Sequence, residues 1–161
     1  MNAYIKPEIV THAGADVRYF EYPLICTECR AVYTDHRWTL SRETIKEKAQ
    51  PHVLSTTCPT CKKKRDGAPG GYLYLDGQFF LSHRDEVERL IQNEAARAGI
   101  ENAFDRIMDF DREDDEMLTV STTTKQMAMR LGHAVEAAYG GIVNCGFSHD
   151  QELARVWWHK D

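Results

Sequence analysis

Four of the five cysteines fall into two CxxC pairs, CTEC at residues 26–29 and CPTC at residues 58–61. Each pair brings two thiols together on one turn. Two such turns supply the four soft sulfur ligands of a tetrahedral zinc site, which makes Cys26, Cys29, Cys58 and Cys61 the candidate ligands of one structural Zn²⁺. A catalytic zinc keeps a coordination position open and usually mixes ligand types, so an all-cysteine shell argues against chemistry at the metal. A redox reading needs a lone CxxC opening a helix in a thioredoxin-like unit, and no such unit is recognisable. His52 lies six residues before Cys58, but four cysteines already complete the shell.

Other chemistry-bearing residues lack the spacing their chemistry needs. Asp109, Asp111, Glu113, Asp114, Asp115 and Glu116 form an acidic cluster. It lacks the glycine and the terminal glutamate of a calcium loop and reads as a solvated hairpin tip. The seven histidines contain no HExxH pair, and there is no GxxxxGK[ST], GxGxxG or GxSxG. Phosphate-cradle and serine-hydrolase readings therefore find no support. Lys125, behind the hydroxyls of residues 121–124, could meet an anion at a helix start, yet capping alone explains that run.

The elements that must position the cysteines are short. LIC (24–26) enters the first turn as a strand and AVY (31–33) pairs back, with Tyr33 and Trp38 as the small core beside the metal. Were Trp38 exposed beside Arg37, it would offer a surface for stacking a base. Residues 41–50 predict a short helix capped by Ser41 and ended by Pro51. Residues 66–71 (DGAPGG) predict a break between two units.

Beyond that break the pattern is regular. YLYL predicts a strand, and Ser82 caps a helix over 83–98 with Val87, Leu90, Ile91, Ala95 and Ala98 on one face and Gly99 as its stop. A strand at 106–111, an acidic turn and MLTVSTT read as a hairpin. Thr123 or Thr124 then caps a helix over 125–139 ended by Gly140 and Gly141, and IVNCGF and LARVWWH are the last strands. Trp157 and Trp158 must point to opposite faces, so one is core and the other sits at an edge, in solvent or under a partner. The expected architecture is α+β: an extended arm (1–22), a Cys₄ zinc-ribbon module (23–66), and a ferredoxin-like β-α-β-β-α-β domain with an added C-terminal strand (72–161). In the arm, Tyr4, His12, Arg18, Tyr19 and Phe20 could order on a partner, an untethered tail being the plainer alternative. The sheet carries no paired aromatic motif of an RNA-recognition module.

Composition, 42% hydrophobic and 28% charged, is that of a globular chain. No apolar run is long enough to span a membrane and no signal-peptide pattern opens the sequence, so a cytoplasmic protein is expected, with reduced thiols and Cys145 as a lone buried thiol. The net charge of −5 divides unevenly: residues 1–70 carry 11 Lys/Arg against 8 Asp/Glu, and residues 71–161 carry 9 against 17. Lys62, Lys63, Lys64 and Arg65 stand directly after the last ligand cysteine. With Arg37 and Trp38 they are the candidate nucleic-acid contacts, while the acidic half would repel phosphate and suits protein or solvent.

CTEC, AVY and HRW, then CPTCKKKRDG and PGGYL, then SHRDEVERLIQNEAAR and LTVSTTTKQMAMRLGHAVEAAYGG carry a resemblance over about residues 24–158. The chain resembles bacterial zinc-ribbon proteins related to the archaeal and eukaryotic adaptor family of the large ribosomal subunit, known for nuclear export and for effects on ribosome stability and mRNA decay. The resemblance implies a zinc-ribbon head on an α/β body, association with the ribosome or ribosomal RNA, and no catalytic residue; export is not implied. The expected function is thus a non-enzymatic zinc protein that docks on the ribosome or on structured RNA, with contact to ribosomal protein through the acidic half. The alternative is a protein-interaction adaptor or small regulator in which the Trp157–Trp158 strand forms a dimer edge.

Overall fold

The structure, a computed structural model, describes residues 23–34, 37–40, 54–112, 114–148 and 153–161. The arm at 1–22, the helix expected at 41–50 and His52 lie outside the described residues. Two sheets are present among them, one of four short strands and one of five.

The four-stranded sheet has the order β3-β2-β1-β4, from β1 (Leu24–Cys26), β2 (Val32–Thr34), β3 (Arg37–Thr39) and β4 (Leu54–Thr56). β1 and β2 are antiparallel around the first CxxC, and β4 lies parallel to β1. Between β1 and β2 the backbone closes on itself: Cys26 N donates to Ala31 O (2.8 Å) and Arg30 N to Cys26 O (3.0 Å). This tight return needs a left-handed residue, and Arg30 supplies it at φ 65° despite carrying a side chain. Leu24, Ala31, Tyr33 and Trp38 fill a small core with three of the cysteines.

The second CxxC departs from the expected pair of knuckles, because CPTC opens helix α1 (Pro59–Arg65) instead. Cys58 is the N-cap and Pro59 stands where its fixed φ suits the first helical position. The four cations 62–65 make up the last turn, where they face the negative end of the helix dipole.

The five-stranded sheet has the order β6-β7-β5-β9-β8. Its strands are β5 (Gly71–Asp76), β6 (Ile107–Asp111), β7 (Leu118–Thr122), β8 (Ile142–Ser148) and β9 (Leu153–His159). Helices α2 (Gln78–Ser82) and α3 (Arg84–Glu101) join β5 to β6, and α4 (Lys125–Tyr139) joins β7 to β8. β6 and β5 run the same way with β7 antiparallel between them. A ferredoxin-like sheet would then seat β8 beside β5. Here β9 is inserted at that place, parallel to β5 and antiparallel to β8, so the ferredoxin-like order is not reproduced. The physical reason is burial. β9 brings Leu153, Ala154, Val156 and Trp158 into the interior, whereas β8 leaves Ile142, Cys145 and Phe147 exposed and takes the edge. Cys145 is therefore exposed, contrary to the buried thiol expected, and the Trp157–Trp158 strand is an interior strand, contrary to the dimer edge expected.

Two helix boundaries differ from the sequence reading. Ser82 ends α2, its hydroxyl donating to Gln78 O at 3.0 Å, and does not cap α3. Gly99 lies inside α3 because the Leu40 side chain approaches it: a Cβ there would sit 3.3 Å from Leu40 Cδ1. α4 follows the expectation, with Thr124 Oγ1 accepting from Met127 N at 3.1 Å and Gly140 at φ 73° as the stop.

One face of the large sheet packs on α3 and α4 through Leu73, Leu75, Val120, Met127, Leu131 and Val156. Trp158 is fully buried there and donates its indole N–H to Gly140 O at 2.8 Å. The other face presents Tyr72, Tyr74, Thr119, Ser121, Arg155 and Trp157, all half-buried or exposed.

Candidate metal centre

The first turn and the first turn of α1 meet at their sulfurs. The ligand atoms of Cys26, Cys29, Cys58 and Cys61 all lie within 4.8 Å of one another, and among the described residues this is the one group of three or more candidate ligands so disposed. Cys29 Sγ and Cys58 Sγ are 3.7 Å apart. A tetrahedral site with metal–sulfur bonds of ~2.3 Å requires sulfur separations of ~3.8 Å, so the cavity fits such an ion.

Backbone donors surround the sulfurs as a thiolate cluster requires. Ala31 N donates to Cys29 Sγ (3.5 Å), Cys58 N to Cys26 Sγ (3.3 Å) and Cys61 N to Cys58 Sγ (3.4 Å). Burial disfavours ionisation of Cys26, but N–H donors at Cys29 and Cys58 outweigh it and hold that thiol below its usual range. Burial pushes Cys58 and Cys61 up, and the neighbouring sulfurs oppose a further negative charge on either. Four thiols packed this closely cannot all ionise on their own; a bound dication removes the conflict.

The larger body contributes a group that the sequence reading missed. Arg106, just before β6, points its Nη1 at Cys61 Sγ (3.6 Å), while its Nε and Nη2 are buried without a hydrogen-bond partner among the described residues. Burial works against its charge, and the cysteine sulfurs more than offset that. Thr123 fixes the loop that carries it: Arg106 N donates to Thr123 Oγ1 and Thr123 N to Arg106 O, both at 2.9 Å. Thr60 Oγ1 also donates across to Ala103 O at 3.2 Å, and Ala103 is part of the small core. The metal site is thus built against the body.

The candidate nucleic-acid contacts are distributed unevenly. Trp38 is only 7% exposed and packs on Tyr33 with ring centroids 5.5 Å apart, so it is core and offers no stacking face. Arg37 is exposed on β3. Lys62, Lys64 and Arg65 are exposed and Lys63 is half-buried, and four consecutive helical positions point around the axis, not to one side. Arg65 is ion-paired with Glu28, and Lys64 reaches the rim of a groove on the open sheet face. Of the acidic residues, Asp109, Asp111 and Asp114–Glu116 are exposed, as a solvated hairpin requires; Glu113 lies outside the described residues.

The aromatic ladder on that open face is the second feature the sequence reading missed. Tyr72 and Tyr74 stack at 6.1 Å and Tyr74 and Trp157 at 5.4 Å. The i, i+2 spacing in YLYL announces the two tyrosines; the pairing of β5 with β9, which adds Trp157, has no local signal. No described helix is long and apolar enough to cross a membrane. No protein-family model, curated protein or solved structure matches the chain.

Proposed function

We propose that the chain is a non-enzymatic zinc protein whose metal-held module docks on the ribosome or on structured RNA. The observation that carries the reading is the closed set of four cysteine sulfurs within 4.8 Å, placed at one end of a helix whose other end is four consecutive cations. An all-thiolate shell leaves no position for substrate, so the ion acts as a scaffold. It would fix α1 against the first turn and hold Lys62, Lys63 and Lys64, with Arg37, where phosphates can reach them. Arg65 is partly committed to Glu28. The excess acidic charge of the body meets ribosomal protein or solvent.

The purified chain is expected to contain about one zinc per molecule, lost in Cys58→Ser together with the four-stranded sheet. In lysate at moderate salt the protein is expected to sediment with ribosomes and to be released by Lys62→Ala/Lys63→Ala. A protein wholly in the soluble fraction in both growth and stationary phase overturns ribosome docking. A protein-interaction adaptor is the second reading, favoured by β8, an edge strand without charge or proline that leaves Ile142 and Phe147 exposed. Partners that persist through nuclease treatment support it.

A further inference from the structure

We infer that the open face of the five-stranded sheet binds unpaired RNA bases, with a guanine seated in the groove between Tyr72 and Asp109. The inference rests on the RNA-binding reading and extends the contact from α1 onto the open sheet face. Strand register arranges the face in rows. One row runs Asp109, Ser121, Tyr72, Arg155 and Gly146 across β6, β7, β5, β9 and β8; the next runs Asp111, Thr119, Tyr74, Trp157 and Asn144. Each row therefore has a carboxylate at one end, a hydroxyl beside it and an aromatic ring in the middle.

The rings are not spent on packing. Trp157 is 40% exposed while its neighbour Trp158 is fully buried, and the Tyr72–Tyr74–Trp157 ladder stands on the side away from α3 and α4. Gly146 makes room for it: a Cβ there would lie 3.3 Å from Trp157 Cζ3. Half-exposed aromatics in a line are the surface on which successive bases stack, largely regardless of sequence.

Selectivity comes from the groove beside Tyr72. Its volume is about 380 Å³, within the range of small-ligand sites, and Tyr72, Asp109, Ser121 and Lys64 are among its walls. With strands ~4.8 Å apart, Tyr72 and Asp109 are separated by ~10 Å along their row, a span that a stacked purine can bridge. A base lying against Tyr72 turns its Watson–Crick edge toward Asp109. A carboxylate only accepts, so it favours adjacent donors. Guanine offers N1–H and an exocyclic amine side by side; uracil offers one N–H flanked by two carbonyls. The carboxylates on β6 turn phosphate away, and Lys64 at the rim and Arg155 on β9 attract it, which sets the orientation of the strand.

The test uses the full chain and two hexanucleotides, AAGAAA and AAUAAA, with GMP as the free nucleotide. Of the three tryptophans only Trp157 is exposed, so quenching of tryptophan fluorescence reports stacking on this face. AAGAAA is expected to quench and to bind about tenfold tighter than AAUAAA. Tyr72→Ala is expected to weaken both by about tenfold, and the isosteric Asp109→Asn to remove the guanine preference while leaving AAUAAA binding unchanged. Lys62→Ala/Lys63→Ala should weaken both oligonucleotides without altering the preference. If Tyr72→Ala with an unchanged circular dichroism spectrum binds as the wild type does, the inference fails and RNA binding elsewhere stands. If neither hexanucleotide quenches while the protein still sediments with ribosomes, the same conclusion follows. Loss of sedimentation as well removes both readings. GMP binding as tightly as AAGAAA would make the occupant a free nucleotide and overturn the RNA assignment.

Discussion

Arg106 shows what a single buried charge can do at a distance. Four thiolates on a dication would carry a net charge of −2, and a guanidinium 3.6 Å from Cys61 Sγ would offset part of it. Groups in this position orient and tune the ligands, and their loss typically costs 10–100-fold in metal affinity. If the cysteines hold zinc as proposed, Arg106→Gln is expected to release it to a chromophoric chelator at a concentration ~10–100-fold lower than the wild type requires. Its circular dichroism before chelation should be unchanged. The cysteines were legible in the sequence because CxxC is a local spacing that a turn enforces. Arg106 was not, because it stands 45 residues from Cys61 and meets it only once β6 has paired. Trp38 illustrates the same limit from the other side, since only the fold decides whether a tryptophan next to an arginine faces solvent or core.

At the scale of elements, the strands of the large sheet and the long helices followed their periodicity, while the ends of elements and the short β3, β4 and α2, which the sequence reading did not contain, did not. Pro59 after Cys58 and the basic run behind Cys61 are start and stop signals of a helix, yet the metal-ligand spacing drew attention to the sulfurs and away from α1. Gly99 misled in the opposite sense, because its lack of a side chain serves contact with Leu40 and not termination. Gly132 has a similar role within α4, where a Cβ would lie 2.7 Å from Val156 Cγ1 on the interior strand β9. Gly132→Val forces the helix off the sheet and should cost about 1–3 kcal/mol, measured as a lower urea midpoint with an unchanged m-value. The placement of β9 was illegible for a further reason. Element order is written in the chain, but which strand enters the middle of a sheet depends on how much apolar surface each can bury there, and β9 exceeds β8 in this respect.

For the whole molecule, the joint construction of the two sheets had no signal in the sequence. Ala103 belongs to the small core, Thr60 is bonded to its carbonyl, and Arg106 faces the sulfurs, so the four-cysteine cluster uses the body as one of its walls. A strand made after both of its neighbours has a consequence for how the chain comes into being. β9 lies between β5 and β8, and its residues Ala154 to His159 pair along β5 with Gly71 to Asp76. A chain made from its N-terminus can form the β6–β7 hairpin and dock α4 early in synthesis, but it cannot close the sheet until residues 153–159 have left the ribosomal tunnel. Nascent chains stalled with Leu153–Asp161 still shielded are expected to be cut by a dilute protease within the segment 71–148, and the same chains, once released, to resist it. Protection of that segment before release would show that β5 and β8 find a stable arrangement without the strand between them.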